Sequence, residues 1–302
     1  MATHKLSSAR PEETLVEQYV DLHLHSVHSD GVHTPAALVA MAAQKGLRAI
    51  AIADHDSVDG VDEALAAADG LDLEVISAVE LSVEYKRFQD IHLLGFCIDH
   101  HDPAFREKLA NFRRLRDDRG RALVTRINNR LSRQGRKSIA YEEVASSATG
   151  AIGRPHIAMA LIARGYAHDM QDAFVQYLIP CNVPKRYFPM AEALSEIHRL
   201  GGVAVLAHPP TITPDRMRLG GLVRELAAMG LDGLEVFSNS CFEDTIIFLE
   251  SLADELGLIM TGGSDFHGFE DDVEMGSGRG GLAVAYHLVT GLKTRLNGRN
   301  DI

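Results

Sequence analysis

Five short clusters of histidine and carboxylate each close an apolar run that reads as a strand, and few folds can accommodate that coincidence. They are Asp21-Leu22-His23-Leu24-His25 with Asp30 behind it, Asp54-His55-Asp56, Glu80 with His92, Ala207-His208-Pro209, and Gly263-Ser264-Asp265-Phe266-His267. Between the runs lie segments of helical periodicity. Residues 19–24 read as a strand; Thr34-Pro35 then supplies an N-cap and a proline at the first helical position, and 36–45 reads as a helix stopped by Gly46. Residues 49–53 read as a short buried strand, 59–68 as a helix, and 73–77 and 91–98 as strands. Strand–helix alternation implies a parallel sheet or barrel, whose functional residues gather at the C-terminal ends of the strands. The expectation is that all five clusters sit there, although His92, at the opening of its strand, fits least well.

The alternation breaks after His100-His101-Asp102-Pro103. Phe105, Leu109, Phe112, Leu115, Leu123, Ile127 and Leu131 recur at helical spacing, and shorter helical pieces follow at 141–147, 155–164 and 169–177. It resumes with helices at 191–200, 214–229 and 242–256 and strands at 203–207, 233–237 and 258–261. The expected organisation is an N-terminal extension (1–18), an α/β barrel domain of about seven strands (19–102 and 189–302), and an α-helical insertion or cap (103–188).

The formal charge of −12 argues against a general nucleic-acid coat and against a DNA duplex as partner. From Arg106 to Lys137, however, twelve Lys/Arg face three acids, an excess that either attracts an anionic substrate or forms a solvated helix face. Three scattered cysteines give no CxxC pair, so neither disulfides nor a thiolate metal site is expected, and a reducing cytoplasm fits. The polar N-terminus lacks a signal-peptide core, no apolar run is long enough for a membrane span, and no protein partner is inferred.

His23 and His25, two apart on a strand, project to the same side and can grip one ion together; Asp265 and His267 repeat that spacing. Asp30 follows in a loop, an aspartate beside His55 can orient an imidazole, and Glu80 can bridge two ions. One strand histidine or one post-strand aspartate is ordinarily a core group or a turn former. Six histidines and three carboxylates in equivalent topological positions point to divalent metal. His4, His28, His33, His100, His101, His168, His198 and His287 fall outside the pattern.

The string His23-Leu-His25-Ser-x-x-Ser29-Asp30-Gly31, with Asp54-His55-Asp56, Glu80, His92, His208-Pro209 and Asp265-Phe-His267, resembles the PHP (polymerase and histidinol phosphatase) superfamily over residues 19–286. The resemblance implies a distorted (β/α)7, TIM-like barrel and three divalent ions. His23, His25, Glu80 and Asp265 would hold the first, Glu80, His92 and His208 the second, and Asp30, His55 and His267 the third. Mixed imidazole and carboxylate ligation suits Mn²⁺, with Fe²⁺ and Zn²⁺ as alternatives. Gly153-Arg154-Pro155-His156-Ile157-Ala158 and Val183-Pro184-Lys185-Arg186-Tyr187 look like the branch of 3′,5′-nucleotide bisphosphatases and 5′-end exoribonucleases. That implies a small nucleotide or short RNA as substrate. Arg154 would clamp phosphate, with His156 and Lys185 as companions and His156 as a candidate acid.

Three other enzyme readings compete. A histidinol-phosphatase-like phosphomonoesterase would want an acidic pocket for its substrate's ammonium. An exonuclease on long chains would want an extended basic groove. An amidohydrolase would share His-x-His but normally carries a different bridge and a lone late Asp. A metal-stabilised interaction module is the non-enzymatic alternative. Ser29 and Ser264 are expected to shape loops, Glu235 and Asn239 to flank a strand end near substrate, and the glycine-rich 276–281 to form a loop near the site mouth rather than a P-loop.

Overall fold

The computed structural model describes residues 18–145 and 153–300. The expected N-terminal extension, apart from Gln18, and residues 146–147 of the expected helix at 141–147 lie outside them. In chain order the barrel begins β1 (Tyr19–Leu24), α1 (Pro35–Gln44), β2 (Ala49–Ile52), α2 (Val61–Ala67), β3 (Glu74–Tyr85) and β4 (Phe88–Phe96). A helical run follows: α3 (Pro103–Arg133), α4 (Tyr141–Ala145), α5 (Arg154–Ala163), α6 (Met170–Ala173) and a π-turn over Phe174–Leu178. The chain then returns through β5 (Phe188–Pro189), α7 (Met190–Arg199), β6 (Val203–Leu206), α8 (Arg216–Ala228), β7 (Gly233–Ser238), α9 (Glu243–Leu256), β8 (Ile259–Gly263), β9 (Val284–Ala285) and α10 (His287–Asn300).

Local chemistry starts these elements where the residues predict. Thr34 Oγ1 accepts from Ala37 N–H at 3.2 Å ahead of Pro35, and Asp102 Oδ1 accepts from Phe105 N–H at 2.8 Å ahead of Pro103. The period of two sorts β1 and β2 between layers. Val20, Leu22, Ala49 and Ala51 join one core with Leu94, Phe96 and Val205, while Leu24, Ile50 and Ile52 pack with Leu38, Val39 and Ala42 of α1.

The sheet runs β8-β7-β6-β4-β3-β2-β1-β9. It nearly closes where β8 meets β1: a Cβ on Gly263 would lie 2.5 Å from His23 N, so only glycine permits the approach. His25 N–H donates to Phe266 O across the same seam at 3.0 Å. The result is the expected distorted, TIM-like barrel.

Two expectations change. Residues 74–85 form one long strand, so Glu80 lies inside β3 instead of after it, and β4 is antiparallel to both β3 and β6. A two-residue turn, with Lys86 at φ 53°, makes β3–β4 a hairpin where a parallel crossover would need a helix. His92 is therefore mid-strand, paired with Ser82. In α3, Leu115 is exposed. Phe105 and Leu109 pack into the barrel core, whereas Leu123, Ile127 and Leu131 form a separate core with Tyr141, Ile157, Leu161 and Tyr177.

Candidate metal centre

The structure brings the nine predicted metal ligands into one cluster around the buried Glu80. His92 Nδ1 and His208 Nε2 lie 3.0 and 3.2 Å from Glu80 Oε1, and His55 Nδ1 and His25 Nε2 lie 2.8 and 3.3 Å from Oε2. His23 Nε2 is 3.4 Å from Glu80 and 3.5 Å from Asp265, which is also 3.0 Å from His25 Nε2. Asp30 completes the set, 3.4 Å from His267 Nε2 and 3.8 Å from both His25 and His55. Their donor atoms fall into overlapping groups of mutual ligand distance: His25, Asp30, His55 and His267; His23, His25 and Asp265; His23, Glu80 and His208; and His55, Glu80 and His92.

A second layer of buried carboxylates fixes this arrangement. Glu235 Oε1 lies 2.8 Å from His23 Nδ1, and its Oε2 accepts from His208 N–H at 2.7 Å. That pairing puts the His23 proton on Nδ1 and leaves Nε2 free toward Glu80 and Asp265. Asp21 accepts from Ser264 N–H and Oγ–H and from Gly276 N–H, tying the Asp265 loop and the glycine-rich loop to β1. Asp54 accepts from Ser26 and Ser29, and Asp56 from Ser82 N–H, with Arg116 2.9 Å away. Ser29 and Ser264 thus shape loops, as expected. His208 and Asp265 carry φ of 26° and 53°, conformations that persist only where surroundings over-determine them. Sequence reasoning undervalued Glu235 and gave Asp21 no role; an acid inside an otherwise apolar strand was the available signal.

Burial opposes ionisation of Asp30, Glu80 and Asp265, yet neighbouring histidines hold all three carboxyls well below their usual range. Burial likewise opposes charge on His267, but Asp30 outweighs it and lifts the ring to about 10. Burial, with repulsion from His267, drives His25 down to about 3. Among the described residues, the ion-pair partners of these three carboxylates are all histidines. His23 Nε2, His25 Nε2, His55 Nδ1, Asp30 Oδ1 and Glu80 Oε2 are buried without a well-formed hydrogen bond. A buried and two half-buried ionised carboxylates, converging imidazoles and orphaned donor atoms fit divalent cations.

Over the cluster opens a cavity of about 520 Å³ that reaches Asn239, Glu270 and Arg279. Asn239 Oδ1 accepts from Arg279 N–H at 3.0 Å, so the glycine-rich loop does border the mouth. A second chamber of about 260 Å³ shares His55, Asp90 and His92 with the first and is lined by Arg116, Arg119, Arg154 and Lys185. Asp90 Oδ1 lies 2.8 Å from Lys185 Nζ, and its Oδ2 lies 3.5 Å from Arg154. Of the basic α3 segment, Arg116 and Arg119 line this chamber, while Arg121, Arg126 and Arg136 pair elsewhere, with Glu142, Asn182 O and Tyr177. His156 stands apart, buried, with Nδ1 accepting from Gly153 N–H at 3.0 Å; burial lowers its pKa, so the ring is neutral with its proton on Nε2.

One further group converges. His100 Nε2 and His101 Nε2 lie 2.9 and 3.4 Å from Asp62 Oδ1. Asp62 and His101 are exposed.

Comparison with known proteins agrees with this geometry. The PHP domain profile matches residues 21–178. A 5′-3′ exoribonuclease of Haemophilus influenzae is 33% identical over 82% of this chain and 89% of its own length. A 3′,5′-nucleoside bisphosphate phosphatase of Chromobacterium violaceum is 32% identical over 82% and 87%. A Bifidobacterium adolescentis structure with the provisional name metal-dependent phosphoesterase superposes with a TM-score of 0.79 at 30% identity, covering 92% of this chain and 96% of that one.

Proposed function

The chain belongs to the PHP domain family of metal-dependent phosphoesterases, and from that premise we propose that it removes the 3′-phosphate of nucleoside 3′,5′-bisphosphates and releases 5′-mononucleotides from short 5′-phosphorylated RNA. One observation carries the substrate reading: the basic chamber opens directly onto the metal centre through His55, Asp90 and His92. Arg116 is offset by Asp56, and among the described residues Arg119 donates to Val183 O and the Asn182 side chain. Arg154 and Lys185 share Asp90. Four cations against Asp56 and Asp90 leave a positive excess on the side of the chamber away from Asp30. That excess matches a terminal phosphate dianion better than a diester, and it disfavours an ammonium-bearing substrate such as histidinol phosphate.

In this reading His23, His25, Asp30, His55, Glu80, His92, His208, Asp265 and His267 hold three divalent ions, most simply Mn²⁺. When bound, such ions supply Lewis acidity toward the phosphoryl oxygens and lower the pKa of water. Arg154 and Lys185 grip the second phosphate and so orient the ester to be cleaved. His156, being neutral, serves as a hydrogen-bond donor to substrate instead of a charged acid. We take residues 103–188 as the cap that carries Arg116, Arg119, Arg154 and Lys185 to the barrel mouth. Among the described residues no helix is long and apolar enough to cross a membrane. Three free cysteines accord with a reducing cytoplasm.

The test is phosphate release with Mn²⁺ from adenosine 3′,5′-bisphosphate, 5′-AMP and histidinol phosphate side by side, with a 5′-phosphorylated oligoribonucleotide scored for freed mononucleotide. The bisphosphate and the oligonucleotide should be consumed. Release confined to histidinol phosphate would overturn the proposal.

A further inference from the structure

Beside Asp30 lies a third cavity, of about 410 Å³. Its walls are of a different kind: Val32, Met159, Met170 and Phe269, with Pro155 and the edge of His156. Val32 is 51% exposed, Met159 43%, Met170 36% and Phe269 47%. Four large apolar side chains turned to solvent around one hollow form a surface that asks for a ligand. The hollow is also continuous with the reaction site. It shares Ser29 and Asp30 with the basic chamber, together with Pro155, and Asp30 belongs to the metal cluster itself.

We infer that this cavity receives the nucleobase of the substrate, so that one molecule spans the metal centre with its scissile phosphate, the basic chamber with its second phosphate and the apolar hollow with its base. The inference rests on the nucleotide reading given above and adds to it the element that separates a nucleotide from any other bisphosphate. Phe269 and the two methionines offer a polarisable, flat-contact surface to either base class. His156, its Nδ1 already engaged by Gly153 N–H, contributes a single N–H at the rim and no charge. Such a site grips bases by stacking and dispersion, so it tolerates adenine, guanine and pyrimidines alike and refuses a sugar bisphosphate without a base.

The experiment compares kcat/KM for adenosine 3′,5′-bisphosphate with that for the abasic ribose 3,5-bisphosphate, in the Mn²⁺-loaded wild type and in Phe269→Ala and Met159→Ala. Both positions are partly exposed, so the substitutions leave no core void. The wild type should favour the nucleotide, and each variant should cut that preference by about tenfold, chiefly through KM. Adenosine alone should inhibit wild-type cleavage of the abasic compound competitively and lose that effect in the variants. Equal kcat/KM for the two compounds in the wild type, or an unchanged preference in both variants, would overturn the base site while leaving the phosphoesterase reading intact. Failure of the wild type to cleave either compound would instead defeat the bisphosphate reading, and the base site with it.

Discussion

Two clusters in this molecule aim several imidazole rings at one carboxylate, Glu80 in one and Asp62 in the other, at nearly the same distances. Around Glu80 the separations run from 2.8 to 3.4 Å; around Asp62 they are 2.9 and 3.4 Å. Everything else differs. Glu80 is fully buried, whereas the Asp62 side chain is 55% exposed and that of His101 63%. Behind the first cluster stand Asp21, Asp54, Asp56 and Glu235, each buried and each holding a loop or a ligand. Among the described residues the second has no such layer: His100 simply pairs with Asp62. The first leaves buried donor atoms without hydrogen bonds, and the second leaves none among the described residues. Convergence alone is thus an ion pair in water. Convergence with desolvation, a supporting shell and unsatisfied donors is a cavity shaped for cations.

Substitutions should separate the two clusters by orders of magnitude. Asp265→Asn or His23→Ala should abolish turnover and lower bound transition metal, as read by elemental analysis of dialysed protein; retention of both would erase the distinction. Glu235→Gln should come next. It keeps the shape but weakens the hold on the His23 tautomer, and metal affinity should fall about 10–100-fold, measured by competition with a chromophoric chelator. Arg154→Ala leaves the metal centre whole and removes one charged phosphate contact. KM for the bisphosphate should rise about tenfold or more, with metal content unchanged.

The smallest effects belong to the second cluster. His101→Ala should leave metal stoichiometry and kcat unaltered and shift stability by less than about 1 kcal/mol, because exposed pairs contribute little. A lost metal equivalent in that variant would break the comparison from the other side. Acid titration sharpens it further. The His100 hydrogen bond holds the Asp62 carboxyl below its usual value. A depressed carboxyl stabilises the fold above the unfolded pKa and loses that contribution as pH falls through the folded one. Asp62→Asn should therefore lower thermal stability slightly near neutrality and leave it unchanged well below the carboxylate range, so that the decline on the acid side is slightly flatter.

The contrast also explains what could be read from residue order. His23, His25, His208, Asp265 and His267 announced themselves because each closes a short apolar run, and a barrel rim is where such positions meet. Thr34-Pro35 and Asp102-Pro103 likewise mark their helices locally. Glu80 and His92 join the cluster but were placed wrongly, because β3 runs on to Tyr85 and the two residues Lys86 and Arg87 turn it into a hairpin, where a parallel crossover would need a helix. Strand direction is set by a turn, not by hydrophobic period. Glu235 was hidden for a different reason: a carboxylate in an apolar strand acquires meaning only when β1 and β6 bring His23 and His208 to it. The same holds for Arg116 and Arg119, which α3 presents to the chamber while otherwise similar arginines beside them face other partners. α10 went unread because Gly291, Gly298 and two threonines interrupt its pattern, although Leu288, Val289 and Leu292 bury against the barrel.

The most direct test is anomalous diffraction from crystals equilibrated with Mn²⁺. The account predicts strong peaks enclosed by His23, His25, Asp30, His55, Glu80, His92, His208, Asp265 and His267, and none at Asp62, His100 and His101. No density within the Glu80 cluster, or ions bound at the exposed histidine pair in preference to it, would contradict the account.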